Sequence, residues 1–330
     1  MVVFVHGWKH DGSLNDAYVT SFRDFLAKLS AARRSQSTAW KRRVVGVYVS
    51  WPANDGAWAG PLQNTKFWET RDRADRVARG REVSKLLTHL KKRFGYEKSQ
   101  QGKEDGVLVT IGHSFGARIV FESVQQVIAD NVVEQGSAKP GEACTGNVVC
   151  HPVSGFGELV VLLNPAFEAA QFNTFHRFSG GNWQKSVPPS SDILESWPQM
   201  QPPLLLALGA INDEATTWPW QIGHAGGPTL LSTTLTNHDP FVTHDLVFDA
   251  KVANDKPADG LGILDRTRTL GPLRGVTLVP RGNANNSPFV VARVDPQVID
   301  GHSGIWTATL RDFLVDYLDQ LQLVKRMKVQ

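Results

Sequence analysis

The chain has 330 residues, 41% hydrophobic and 20% charged, which is enough apolar material for a large core. Its 35 basic and 32 acidic side chains leave a formal charge of +3, too mild a balance to imply a nucleic-acid partner. The basic runs Arg33-Arg34, Lys41-Arg42-Arg43 and Lys91-Lys92-Arg93 read as solvated surface. No apolar run approaches transmembrane length.

Met1 leads straight into Val2-Val3-Phe4-Val5, a strand-length apolar run without the charged flank or cleavage pattern of a signal peptide. A cytoplasmic location is the default expectation, with a secreted or periplasmic one left open should residues precede this start. The run ends in His6-Gly7-Trp8. A glycine directly after a strand lets the backbone approach a ligand closely, so the Trp8 N–H is a candidate oxyanion donor. Lys9, His10 and Asp11 follow as loop residues.

Phe22, Phe25, Leu26 and Leu29 recur at helical spacing and predict a helix over Ser13–Arg33, with Ser13 or Asn15 as its cap. Val44–Val49 predicts a second strand, followed by a Gly/Pro/Trp-rich loop. Val83, Leu87, Leu90 and Phe94 predict one long helix over Arg71–Phe94.

The most informative stretch is Gly106–Gly116, GVLVTIGHSFG. A β-branched apolar run is broken by Gly112-His113-Ser114-Phe115-Gly116, and Ala117, Ile119, Val120, Phe121, Val124, Val127 and Ile128 then recur at helical spacing. Strand, glycine-flanked turn and helix around G-x-S-x-G are the context of a nucleophile elbow, which exposes the serine at a sharp bend beside a helix N-terminus. Ser114 is the candidate nucleophile, and the Phe115 N–H is the candidate second oxyanion donor.

Glu134–Gly157 is a polar excursion containing Cys144 and Cys150, the only cysteines. A disulfide and two free thiols remain equally open there, and two cysteines so placed build no metal framework. Leu159–Leu163 is the next strand, ending in Asn164, from which a hydrogen bond to a neighbouring loop is expected. Residues 171–203 carry Phe172, Phe175, Phe178, Trp183 and Trp197 among Gly, Ser and Pro, and read either as a cap over an apolar acyl pocket or as a surface loop pinned by its own aromatics. Leu204–Leu208 is a strand, and Asp213 lies just past it. A carboxylate there, after the serine and before a late histidine, is the candidate orienting acid; Glu168, also past a strand end, is the alternative.

Residues 218–282 are the least readable, with short strands such as Leu246–Phe248. His238-Asp239 and His244-Asp245 fit no metal-ligand spacing, so no metal site is expected. Phe289–Val294 is a last strand, and a loop then delivers Ile299-Asp300-Gly301-His302-Ser303 ahead of a closing helix bearing Trp306, Leu310, Phe313, Leu314, Tyr317 and Leu321. His302 is the candidate general base. His6, Gly7, His113, Phe172 and Phe175 are candidate substrate contacts.

With HGW at 6–8, GHSFGA at 112–117, LLNPAFEA at 162–169, NDEAT at 212–216 and GHSGIW at 301–306, the chain resembles the α/β-hydrolase superfamily, and more narrowly bacterial esterase/lipase-like serine hydrolases. The resemblance implies a single α/β domain over 1–330, with a mostly parallel central sheet, helices on both faces, and N-terminal strands reduced or missing. It also implies a Ser114–His302–Asp213 triad with Trp8 and Phe115 at the oxyanion. Cleavage of a small-molecule or lipid ester would then need no cofactor. Amide, peptide or thioester cleavage by the same triad is the alternative, and a non-catalytic binding member of the fold is a further one. Epoxide chemistry is disfavoured, because it would want a carboxylate where Ser114 stands.

Overall fold

The computed structural model describes residues 1–35, 43–53, 63–101, 106–136, 152–179, 197, 201–216, 229–252, 270–281 and 287–327. These fall into two compact units, Met1–Gln126 with Phe156–Phe167, and Val127–Gly155 with Glu168–Gln330. Both cysteines and Trp183 lie outside the described residues, as does most of the expected cap.

The first unit is built on four parallel strands, β1 (Val2–Val5), β2 (Gly46–Val49), β3 (Val109–His113) and β4 (Leu159–Leu163), in the order β2-β1-β3-β4. Every residue of β1, β3 and β4 is buried, which is why their sequences are continuous rather than alternating apolar runs. Pairing of Val5 with Gly112 and of Leu163 with His113 brings the C-terminal ends of β1, β3 and β4 level. Loops leaving those ends emerge side by side, the usual place for a ligand in a parallel sheet.

Helix α1 (Ala17–Ser35) buries Tyr18, Phe22, Phe25 and Leu29, with Phe22 stacked on Phe4 at 5.5 Å between ring centroids. It starts four residues later than its apolar spacing predicts, because Asp16, not Ser13 or Asn15, is the cap: its carboxylate accepts the Tyr18 N–H at 2.8 Å. The single long helix expected over Arg71–Phe94 is in fact two, α2 (Gln63–Arg79) and α3 (Glu82–Gln101). Gly80 donates to the Arg76 carbonyl and Arg81 turns left-handed (φ 64°), a helix stop whose signal is the Gly-Arg pair itself. Helix α4 (Phe115–Gly136) follows β3 directly. Within this unit, the buried Arg118 of α4 pairs with Asp75 of α2 through Nε–Oδ1 and through Nη2–Oδ2 at 3.2 Å.

The second unit contains β5 (Leu205–Ala210), β6 (His244–Phe248), β7 (Leu270–Leu273), β8 (Val276–Pro280) and β9 (Phe289–Val294), ordered β5-β9-β6-β8-β7. The β5–β9 and β9–β6 pairs are parallel; β6–β8 and β8–β7 are antiparallel. Thus the stretch that was hardest to read contributes three strands. Its hairpin turns at Arg274-Gly275, both with positive φ (51° and 81°), the primed geometry that matches strand twist, though the sequence lacks the Asn-Gly signal for it. Short helices α5 (Asn173–Phe178) and α6 (Thr229–Ser232) precede α7 (Ala308–Met327), which buries Leu310, Phe313, Leu314, Tyr317 and Leu321 and is capped by the Thr307 hydroxyl accepting the Leu310 N–H.

The fold is therefore α/β with a mostly parallel sheet, and its strand–elbow–helix succession is consistent with the α/β-hydrolase architecture expected above. Among the described residues no helix is long and apolar enough to cross a membrane.

Candidate active site

Ser114 sits between the last residue of β3 and the first of α4, in a left-handed conformation (φ 55°) that a residue with a Cβ adopts only under constraint. The constraint is visible. The Ser114 N–H donates to the Leu163 carbonyl at 3.0 Å, and its own carbonyl accepts from Ala117, Arg118 and Ala166 at 3.0–3.2 Å. A Cβ on Gly116 would run into the carbonyl oxygens of Val5 and His6, and one on Gly112 into the backbone of Gly116 and Ala117. The motif's glycines thus let the turn close against β1 and against the helix. Asn164, at the equivalent end of β4, is also left-handed (φ 43°) and fully buried.

The loop leaving β1 lies against this turn. A Cβ on Gly7 would stand 2.9 Å from the Ser114 Cβ and 2.7 Å from His113 Nδ1. Phe115 is the first residue of α4, so its N–H has no acceptor one turn back in the helix. The rings of Trp8 and Phe115 both rest on Phe67 of α2, at 6.1 and 5.2 Å. One aromatic side chain therefore gathers the two residues whose N–H groups were the oxyanion candidates.

His6 and His113 are both buried. The His6 ring stacks between Tyr48 and Trp51, at 5.6 and 5.9 Å. Its Nδ1 lies 2.8 Å from the Gly7 carbonyl and its Nε2 3.3 Å from the Trp51 N–H. A neutral ring protonated at Nδ1 satisfies both bonds, and burial holds its pKa below the ordinary histidine value. His6 thus braces the loop from behind.

Lys9, His10 and Asp11 form more than a solvated loop. Lys9 is left-handed (φ 69°), and the next residues are gathered by the Asp16 carboxylate. It accepts the N–H groups of Asp11 at 2.9 Å and Gly12 at 3.2 Å, besides Tyr18, and lies 2.8 Å from His10 Nδ1. Burial alone would raise the Asp16 pKa; these donors outweigh it and hold the carboxyl below its usual range. The sequence did carry a signal for Asp16, an aspartate immediately before an apolar helical pattern.

In the second unit, β5 and β9 deliver Asp213 and His302. Pairing of Ala210 with Val294 sets the two strand ends level. His302 Nδ1 lies 3.0 and 2.9 Å from the two carboxylate oxygens of Asp213. The carboxylate is almost fully buried and also accepts the N–H groups of Ala215 and Thr216, at 3.0 and 3.2 Å. With Nδ1 donating to Asp213, the imidazole keeps Nε2 unprotonated and able to accept a proton; the ring is 23% exposed. Glu168, the alternative acid, instead accepts from the Gln171 amide at 2.9 Å.

Phe172 and Phe175 are 2% and 1% exposed and pack with Phe178, Phe241 and Phe289 at 4.9–6.2 Å between centroids. As placed, both rings lie in a buried aromatic cluster. His238 lies against Phe241, while Asp239 and Asp245 pair with Arg281, and Asp239 also with Arg293. Among the described residues no three His, Cys, Asp or Glu side chains gather as a metal site would require.

No protein-family model matches the chain, and no curated protein matches it by sequence. Among solved structures it is similar to the siderophore hydrolase EstB from Aspergillus fumigatus, at 14% identity over 97% of this chain and 90% of that one, with a TM-score of 0.34. At that score the likeness is loose, and the chemistry is read from this chain's own side chains.

Proposed function

We propose that the protein is a serine hydrolase of carboxylic esters. The reading is carried by the Asp213–His302 pair, a buried carboxylate fixing the imidazole tautomer in which Nε2 is the basic nitrogen. It is supported by Ser114, whose left-handed φ is that of a side chain presented at a tight strand-to-helix bend.

In the proposed mechanism His302 Nε2 takes the proton of the Ser114 hydroxyl as its oxygen attacks the ester carbonyl. The N–H groups of Trp8 and Phe115 hold the resulting oxyanion. Collapse of the tetrahedral adduct expels the alcohol, which receives the proton from His302, and leaves an acyl-serine. Water, deprotonated by the same imidazole, hydrolyses that ester and restores Ser114. Asp213 stabilises the imidazolium in both halves.

A panel of p-nitrophenyl esters of increasing acyl length, run beside thioesters and peptide anilides, tests this reading. Ester turnover should exceed the others, and Ser114→Ala and His302→Ala should each lower kcat by roughly 10³-fold or more without loss of fold. Ester cleavage that survives Ser114→Ala would sink the assignment.

A further inference from the structure

We infer that Asn212, the residue before Asp213, is a positioning residue that locks the loop carrying His302 onto the loop carrying the acid. The inference rests on the reading of Asp213 and His302 as the acid–base pair, and extends it to a side chain outside the triad.

Three consecutive residues of the histidine loop are held by two consecutive residues of the acid loop. The Asn212 amide uses both its ends: Nδ2 donates to Asp300 Oδ1 at 3.0 Å, and Oδ1 accepts the Gly301 N–H at 2.9 Å. Asp213 then takes the His302 imidazole. The histidine loop also carries bonds within itself, and its Val298, Ile299 and Ile305 are buried. Asp300 and Gly304 exchange backbone bonds at 3.3 and 3.2 Å, and Val298 and Ile299 donate to the Asp295 carbonyl at 2.9 and 3.1 Å. The two bonds from Asn212 are those that join this turn of the loop directly to the residue before Asp213.

Gly301 is left-handed (φ 62°), so the chain swings sharply at the residue that Asn212 grips. Without the grip, a small rotation at Gly301 would be magnified at the imidazole. Asn212 itself is exposed, so its role is orientation rather than core packing.

The pair also has a polarity that can be exchanged. Aspartate at 212 would keep an acceptor for Gly301 but face the Asp300 carboxylate with like charge and no donor. Changing Asp300 to Asn at the same time restores a donor on the opposite side.

The experiment compares full-length wild type, Asn212→Ala, Asn212→Asp, and Asn212→Asp combined with Asp300→Asn. Three quantities are read: kcat and KM on p-nitrophenyl acetate, the urea midpoint, and the downfield proton resonance of His302 Nδ1–H, assigned by its disappearance in His302→Gln. Asn212→Ala should lower kcat about 10- to 100-fold, in line with a displacement of up to an ångström. KM should stay within about 2-fold, as expected when orientation and not uniform binding is lost. The urea midpoint should be unchanged, and the imidazole proton should broaden by faster exchange with water. Asn212→Asp should lose at least as much, and the exchanged pair should recover most of it.

An Asn212→Ala enzyme that keeps a sharp imidazole proton overturns the inference whatever its kcat, as does a loss that tracks the urea midpoint. If wild type cleaves no ester, the proposed function fails, and the imidazole proton still decides whether Asn212 holds the loop.

Discussion

Adding one methyl group at Gly7 should damage catalysis more than folding. The Cβ of an alanine there would lie 2.7 Å from His113 Nδ1, 2.9 Å from the Ser114 Cβ and 3.1 Å from the His113 carbonyl oxygen. Ordinary contacts between such atoms are about 3.5–4.0 Å, so the loop and the elbow must part by roughly 0.6–1 Å. His113 and Ser114 are held on both sides, by the β3–β4 pairing and by the bonds to Leu163, Ala166 and α4. The loop leaving β1 is the side that yields, and it carries the Trp8 N–H away with it. Overpacking of this kind costs about 1–3 kcal/mol of stability. An oxyanion donor displaced by nearly an ångström costs on the order of 10²-fold in rate, spent in the transition state. Gly7→Ala should therefore show kcat on p-nitrophenyl acetate down about 100-fold with KM little changed, together with a modest fall in the urea midpoint. A wild-type midpoint would mean that the loop does not pack on Ser114 as described. A wild-type kcat with a lowered midpoint would mean that the Trp8 loop has no part in the chemistry.

Two further outcomes follow from charged groups. Asp16→Ala removes the helix cap and the acceptor of two loop N–H groups, and should cost about 1–2 kcal/mol in urea unfolding. Because the folded pKa of Asp16 lies below its ordinary value, that contribution is present above the ordinary carboxylate value and is lost only as pH falls through the folded pKa. A wild-type advantage over Asp16→Ala that is absent at pH 6 would refute the cap. His176 acts at higher pH. Burial, reinforced by His238, lowers its pKa to about 4, so from pH 6.5 downward the unfolded chain takes up a proton that the folded one refuses. Stability should fall by about 2–3 kcal/mol between pH 7 and pH 4.5, and His176→Phe should flatten that slope. Equal slopes in the two proteins would show that His176 is not held neutral.

What one chain of letters determined here is local. The run Val107–Ile111 followed by Gly-His-Ser-Phe-Gly reads as a buried strand breaking into a helix, because β-branched residues suit a parallel strand and the glycines suit a crowded bend. Leu159–Leu163 and Phe289–Val294 were legible to the residue for the same reason. Asp213 and His302 were legible as loop residues past strand ends, yet 88 intervening residues separate them and nothing in their own neighbourhoods says that they touch. Only the parallel pairing of β5 with β9 does that, by setting Ala210 level with Val294. The same pairing explains Asn212, an unremarkable amide until its partners at Asp300 and Gly301 are brought across. Asp16 could be read as a helix cap, but not as the gatherer of a loop five residues earlier. Phe172 and Phe175 show the same limit: their spacing among Gly, Ser and Pro does not say which rings they meet, and the tertiary structure sets them against Phe241 and Phe289. Periodicity and turn chemistry are properties of neighbours in sequence, whereas hydrogen-bond partners and burial are set by which strands lie side by side.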